Sequence, residues 1–195
     1  MRYTLLFLLL TIIFSTVTGQ EAHRRWRKMN QIRNDKFDLV LPEVMRENNI
    51  DMWIVMNREG RFDPLYKDLG EGYVRPTGYY IFTDRGGDRI ERAVLGISGY
   101  LLKEGGAYDH FGSELELLEF VQERDPQRIG LNYSRNIGGA DGLSYSGYLE
   151  LAEVLGEKYE ERFVSAEKLV SDFRSRRVAS EIAVYGEACE LSYQI

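Results

Sequence analysis

The sequence is poor in the residues that build disulfides, zinc sites and nucleophilic triads. It contains one cysteine, Cys189, and two histidines, His23 and His110, among 195 residues. A single cysteine excludes an intramolecular disulfide and a cysteine-based zinc site. A serine or cysteine nucleophile needs a positioned base, and two histidines offer few candidates for one. No His-Glu-x-x-His, Gly-x-Ser-x-Gly or Gly-x-x-x-x-Gly-Lys motif is present, so the residues indicate no catalytic or metal site.

The sequence also lacks a basic excess and an apolar run long enough to cross a bilayer. Its net charge of −6 argues against nucleic acid or an anionic membrane as the main partner. The apolar run at 4–14 follows Arg2 and is shorter than the roughly 20 residues that span a membrane. Val17 and Gly19 occupy positions −3 and −1 of a cleavage site before Gln20. We therefore predict a signal peptide over 1–19 and export to the periplasm or the medium.

The remaining chain, 20–195, has the composition of one globular domain in which strands and helices alternate. Over all 195 residues, hydrophobic residues make up 44% and charged residues 29%, which excludes disorder as the main state. A polar helical pattern over 21–49 is broken at Pro42. Apolar runs typical of strands lie at 52–56, 79–83, 90–95, 128–132 and 162–164. Helical patterns include one opened by a capping box (Ser113 and Glu116), one at 146–155, one containing Leu169 and Phe173, and one from Ser180 onward. The predicted class is α/β with a mixed sheet of about five strands flanked by helices.

Two single residues are interpreted as structural. Cys189 has helical spacing among apolar neighbours and is predicted to be a packed core residue. Asn132 begins an Asn-Tyr-Ser glycosylation pattern, which we interpret as coincidental because the residue lies near the end of a predicted strand.

The segment 57–78 is the best candidate for function. It is predicted to be a long polar loop, and loops of this length are often functional. It follows a buried strand at the carboxyl end, where ligands of open α/β sheets tend to bind. We predict that Arg58, Glu59 and Asp63 are substrate-rim or interface residues, since their charges could bind a peptide terminus or a neighbouring subunit. The alternative is a solvated polar loop.

Several stretches resemble one family in order and spacing. The run Lys36–Val55, KFDLVLPEVMRENNIDMWIV, resembles the start of the creatinase/prolidase amino-terminal domain. The likeness is to the exported Xaa-Pro aminopeptidase-like branch of the M24 metallopeptidases. Further pieces that recur in this branch are Arg58-Glu59, Asp63-Pro64, 124–132, 140–143, 164–169 and 181–185. The resemblance covers about residues 28–195.

The resemblance implies an amino-terminal domain, 20–178, with a ribonuclease-H-like sheet motif. A linker helix, 179–195, would lead into a "pita-bread" catalytic domain beyond Ile195. In the family that domain holds two divalent metals (manganese, cobalt or zinc) through two aspartates, one histidine and two glutamates. None of these ligands can be assigned to this chain, so we predict no catalytic residue, metal or cofactor within it.

The implied function is that of a non-catalytic oligomerisation or substrate-rim domain in a partial or truncated metal-dependent aminopeptidase. Its partners would be the missing catalytic domain, further copies in a homo-oligomer and the peptide substrate. The alternative is a stand-alone exported binding or scaffold domain without enzymatic activity. An exposed apolar face would favour the first interpretation, as would an open reading frame that continues past the codon for Ile195.

Overall fold

The computed structural model describes the backbone of residues 2–193 and the side chains of residues 20–193. The predicted signal peptide, 1–19, therefore lies outside the residues whose side chains are described, and Ile195 lies outside the described chain. Within the described part, no helix has the length and apolar character needed to cross a membrane.

The elements alternate along the chain as an α/β domain requires. The strands are β1 (Met52–Arg58), β2 (Tyr73–Thr83), β3 (Glu91–Ser98), β4 (His110–Gly112), β5 (Ile129–Leu131) and β6 (Phe163–Ser165). The helices are α1 (Arg2–Leu39), α2 (Leu41–Glu47), α3 (Tyr66–Leu69), α4 (Tyr100–Glu104), α5 (Leu117–Arg124), α6 (Tyr145–Leu155), α7 (Glu157–Glu160), α8 (Glu167–Ser175) and α9 (Ala179–Tyr193).

The six strands form one mixed sheet in the order β4-β3-β2-β1-β5-β6. β2 is antiparallel to both β1 and β3, whereas β5 is parallel to β1, β6 to β5 and β4 to β3. The predicted mixed α/β class is confirmed, and the order β3-β2-β1-β5-β6 is the expected ribonuclease-H-like motif. The sequence does not predict the sixth strand, β4, because its three residues, His110 to Gly112, form no apolar run.

The sheet separates two apolar cores, and β1 contributes to both. Trp53 and Val55 join the core formed with α1, α2, α3 and α8. Met52, Ile54 and Met56 join the core formed with α5, α6 and α7. A strand covered on both faces is apolar at every position, which is why the run 52–56 does not alternate.

Two local signals in the sequence form as predicted. α1 ends at Leu39 and α2 begins at Leu41, with Pro42 in its first turn. Ser113 accepts a hydrogen bond from Leu115 N at 3.3 Å and donates its own amide to Glu116 Oε1 at 2.8 Å. This capping box opens a short 3₁₀ turn, Glu114–Glu116, which leads into α5.

The loop predicted over 57–78 is shorter than expected. β1 continues to Arg58 and β2 begins at Tyr73, so the connection is 59–72 and contains α3. The early residues of β2 are polar, but Tyr73 and Val74 pair with Ser98 and Ile97 of β3. Strand pairing therefore extends β2 beyond its apolar run.

The prediction that Cys189 is a packed core residue is wrong. Cys189 is exposed, and none of the side chains of α9 is buried. The sequence predicts the helix correctly, but α9 packs mainly along α1 and buries none of its side chains, so Cys189 faces solvent.

Candidate functional site

The candidate site is the β1–β2 connection (residues 59–72), which begins at the carboxyl end of β1, at the same edge of the sheet as the carboxyl end of the parallel strand β5. A tight turn opens it: Arg58 N donates to Arg61 O at 3.0 Å, and Arg61 N donates to Arg58 O at 2.9 Å. Gly60 has φ +73° in this turn, a conformation that favours glycine. Glu59 is exposed, and its amide bonds Pro76 O at 2.9 Å.

Arg58 connects this turn to α6. Its guanidinium forms an ion pair with Glu150 and donates to Ser146 O at 3.4 Å. The Arg58 and Glu150 side chains are 32% and 35% exposed. Glu150 also accepts from Thr77 Oγ1 at 3.3 Å, which adds β2 to the contact. The structure thus places Arg58 at the surface with a partner within the domain, and its role as a rim or interface residue stays a prediction.

Asp63 does not lie at the surface with Arg58 and Glu59. It is 4% exposed. Its Oδ1 accepts from Leu65 N at 2.8 Å and its Oδ2 from Asn132 Nδ2 at 3.0 Å. Burial raises the pKa of Asp63, and these two hydrogen bonds oppose that rise. A rim or interface role needs an accessible side chain, so the structure corrects this part of the prediction. Asp63 is buried and stabilises the connection by hydrogen bonds within the domain.

Asn132 extends the buried polar network across the sheet. Its Oδ1 accepts from Trp53 Nε1 at 2.7 Å, and the residue is 2% exposed. Both ends of its amide are therefore engaged inside the domain, which agrees with the interpretation of its glycosylation pattern as coincidental. Gly142 closes the network, because a Cβ there would lie 1.9 Å from Asp63 Oδ2.

A second set of side chains fixes the far half of the connection through its carbonyl oxygens. Arg33 Nε donates to Asp68 O at 2.9 Å, and Tyr108 Oη donates to Leu69 O at 2.6 Å. The Tyr80 hydroxyl donates to Gly70 O, the Tyr66 hydroxyl donates to Gly72 O, and Gly72 N donates back to Tyr66 Oη at 2.8 Å. Burial raises the pKa of Tyr80 and Tyr108, so both hydroxyls remain donors. Tyr66 belongs to the connection itself, but Arg33, Tyr80 and Tyr108 lie outside it, and no local pattern in the sequence reveals these three donors.

The fixed connection presents an aromatic and charged surface. Phe62 is 48% exposed and stacks on Tyr66 with ring centroids 4.3 Å apart. Glu59 and Arg61 are exposed beside it. The arrangement is suited to recognition of a peptide or a neighbouring chain, because aromatic and arginine side chains are enriched where proteins bind one another.

A second surface, the α9 groove, lies between α1, α8 and α9 and has a volume of about 510 Å³. Its lining combines six apolar and six charged residues: Met29, Ile32, Phe173, Val184, Tyr185 and Ala188, with Arg33, Lys36, Asp68, Arg174, Arg177 and Glu181. Lys36 lies at its base, where Nζ donates to Phe173 O at 2.9 Å and burial lowers the pKa of the lysine. Outside the groove, α9 exposes Ile182 and Leu191.

The described residues offer no group of three or more histidine, cysteine, aspartate or glutamate side chains that could hold a metal. His110, for example, contacts Glu116 at 3.4 Å, with no third ligand. The side chains present do not fit the two-metal set that the resemblance implies, so no chemical step through a metal can be derived for this part of the chain.

Comparison with known proteins gives a likeness in fold. No family model matches the chain, and no curated protein matches it. Among solved structures, the chain is similar to an Xaa-Pro dipeptidase from Bacillus anthracis, with 16% sequence identity and a TM-score of 0.47. The similarity covers 79% of this chain and 38% of that protein. The chain therefore spans well under half the length of the protein it resembles.

Proposed function

We propose that this chain is the non-catalytic amino-terminal domain of an exported Xaa-Pro aminopeptidase-like M24 metallopeptidase, and that the catalytic domain docks on α9. The observation that carries this proposal is that α9 buries no side chain while it exposes several large apolar ones. Ile182 is 58%, Tyr185 52% and Leu191 64% exposed. Apolar surface gathered on one element is typical of a docking site.

The occupant we propose is the domain that follows in the same polypeptide. The sequence resemblance assigns 179–195 to the linker helix, and α9 covers most of this range. The α9 groove is lined by four cationic side chains and two carboxylates. Charge complementarity then favours a docked surface that carries carboxylates. In this proposal the two divalent metals and the hydrolytic chemistry belong to the docked domain.

The turn of Arg58 and Glu59 would form part of the rim that the peptide substrate or another subunit of a homo-oligomer contacts. Its support is the exposed surface of Glu59, Arg61 and Phe62 on a connection that is held rigid from inside. A surface whose shape is fixed before binding loses less entropy when a partner binds.

The docking proposal can be tested in the full-length protein with Ile182→Ser and Tyr185→Ser. Leu115→Ser is the matched control, because Leu115 is 85% exposed and lies next to α5 rather than on α9. We expect both α9 variants to lower the melting temperature of the catalytic domain and kcat/KM for an Xaa-Pro peptide, while the control changes neither. If the α9 variants match the control in both measurements, α9 is not a docking surface, and a stand-alone binding domain becomes the better interpretation.

The assignment of chemistry to the second domain has its own test. The 195-residue chain alone, with or without manganese, cobalt or zinc, should release no amino-terminal residue from an Xaa-Pro peptide. Metal-dependent release by the chain alone would contradict the proposal.

The rim assignment is tested with Arg58→Ala and Glu59→Ala in the full-length protein, which should change oligomeric mass or kcat/KM. Arg135→Ala, at another exposed position, should change neither.

A further inference from the structure

The junction between α8 and α9 carries a cluster of arginines. Arg174 lies in the last turn of α8, and Arg176 and Arg177 lie between the two helices. With Ser175 they form the sequence Arg-Ser-Arg-Arg, called here the basic junction (residues 174–177). The sequence contains one other pair of adjacent arginines, Arg24-Arg25, and that pair lies within α1.

We propose that the basic junction is a processing site at which a serine endopeptidase selective for paired arginines cleaves after Arg177. The step is hydrolysis of the peptide bond between Arg177 and Val178. The carbonyl carbon of Arg177 gains the hydroxyl of one water molecule, and the nitrogen of Val178 gains its proton. Endopeptidases of this class have acidic subsites, and arginines at the first, second and fourth positions before the cleaved bond would occupy them.

The backbone and the exposure of the junction suit cleavage. Arg176 has φ −71° and ψ 127°, an extended conformation, because α8 has already ended. Arg174, Ser175 and Arg177 are exposed. Exposed connections between elements are preferred sites of proteolytic cleavage. By contrast, Arg24-Arg25 is held in the interior of a long helix, where its backbone is not extended.

The contacts that hold the junction closed are mostly surface ion pairs. Arg174 lies 3.4 Å from Asp68, Arg176 lies 3.1 Å from Glu43, and Arg177 pairs with Glu181 at 2.5 Å. The first two pairs lie at the surface, contribute little to stability and are screened by salt. In the third, Arg177 is 43% exposed and Glu181 14% exposed.

The buried residue nearest the cleaved bond is Val178, which is 4% exposed, and no side chain of α9 beyond it is buried. Opening therefore releases Val178 and the start of α9 while the sheet stays intact, which is local unfolding of a weakly held segment.

Cleavage would leave the segment from Val178 onward without a covalent bond to the domain. It would be held by the burial of Val178 in the core, by the ion pair of Arg177 with Glu181 and by contacts of α9 with α1. These include the ion pairs of Lys28 with Glu187 and of Lys36 with Glu181, the latter at 3.5 Å. Release of that segment would remove one wall of the α9 groove. The inference does not rest on the proposed function, because it depends on residues 174–178 and not on what docks against α9.

The test is digestion of the 195-residue chain with a paired-arginine-selective serine endopeptidase, with mass spectrometry to locate each cut. A synthetic peptide of residues 170–182 gives the cleavage rate of the same sequence without the fold. We expect the first cut in the chain after Arg177. Raising NaCl from about 0.05 to 0.5 M should increase the cleavage rate of the chain relative to the peptide, because the ion pairs are screened.

Three variants make the result specific. Arg177→Gln should abolish the cut, and Arg174→Gln should slow it by about tenfold, since one charged contact with the endopeptidase is lost. Arg135→Gln, at an exposed position outside the junction, should leave the rate unchanged, and circular dichroism melting should show that all three variants fold. The proposal is overturned if the peptide is cut but the chain is not, if another arginine is cut first, or if Arg174→Gln is cut at the original rate.

Discussion

Replacement of Asn132 by aspartate tests the buried network that holds the candidate site. Asn132 Nδ2 donates to Asp63 Oδ2 at 3.0 Å, and Asn132 Oδ1 accepts from Trp53 Nε1 at 2.7 Å. Asn132→Asp preserves the shape of the side chain and the acceptor for Trp53. It replaces the donor with a second carboxylate oxygen that faces Asp63.

The magnitude follows from the burial of both residues, which are 2% and 4% exposed. The variant loses a hydrogen bond to a charged group, which contributes about 1.5–3 kcal/mol. It also places two carboxylates together without water, and an uncompensated buried charge costs about 3–5 kcal/mol. Since the two terms overlap, we expect the free energy of unfolding to fall by about 3–5 kcal/mol near neutral pH.

The loss should depend on pH in a defined direction. Burial already raises the pKa of Asp63 above its ordinary value of 3.8, and a second carboxylate raises it further. Between the ordinary and the raised pKa the folded variant holds a proton that the unfolded chain has lost. Its stability therefore falls as pH rises through that window and recovers on acidification.

The assay is urea unfolding followed by circular dichroism at about pH 5 and about pH 7.5, with the slope m compared to confirm the same unfolded state. Asn136→Asp is the matched control, since Asn136 is exposed and its Nδ2 donates to a carboxylate, Glu167 Oε1, at 3.3 Å. Because Asn136 is in contact with water, Asn136→Asp should lower the free energy of unfolding by less than about 1 kcal/mol. If both variants lose equal stability, or Asn132→Asp shows no recovery at the lower pH, the network is not desolvated as described.

Three further predictions address other parts of the chain. Gly142→Ala should destabilise the domain by about 1–3 kcal/mol because its Cβ would meet Asp63 at 1.9 Å, whereas Gly138→Ala, with no atom within 4 Å, should change the urea midpoint little. Arg92 is 1% exposed, and its Nε has no hydrogen-bond partner among the described residues. Arg92→Met should lower the free energy of unfolding by less than about 1.5 kcal/mol, whereas Arg92→Ala should lower it by about 3 kcal/mol because it leaves a cavity. Equal melting temperatures for these two variants would contradict this. Mass spectrometry of the exported protein should find Gln20 or its cyclised form at the amino terminus, and an intact Met1 would refute the predicted cleavage.

Much of the fold could be predicted because the signals are local. The apolar run 52–56 has the pattern of a strand buried on both faces, and β1 is such a strand. Pro42 separates two helices because its ring prevents a continuous one. The capping box at Ser113 satisfies backbone groups within three residues of itself. Each of these depends on neighbours in sequence, so composition and spacing are sufficient to recognise it.

The candidate site could be predicted in position but not in detail. The segment follows a buried strand, which marks it as a candidate from the sequence. Glu59 is exposed and Arg58 is half-buried, and their role as rim or interface residues stays a prediction. Asp63 is charged and close to them in the sequence, yet its side-chain partner, Asn132, is 69 positions away. A charged residue in the sequence does not show whether a distant amide will donate the hydrogen bond that offsets the cost of burying it.

The sequence by itself determined five of the strands, the longer helices, their order and the α/β class, because periodicity, capping and proline geometry act over a few residues. Only the tertiary structure decided which side chains are covered. It extended β2 by pairing with β3, added β4 at the sheet edge, buried Asp63 beneath Asn132 and left Cys189 exposed on α9. The physical reason is that burial and strand pairing depend on which distant element packs alongside, and this is a property of the assembled fold rather than of any local segment.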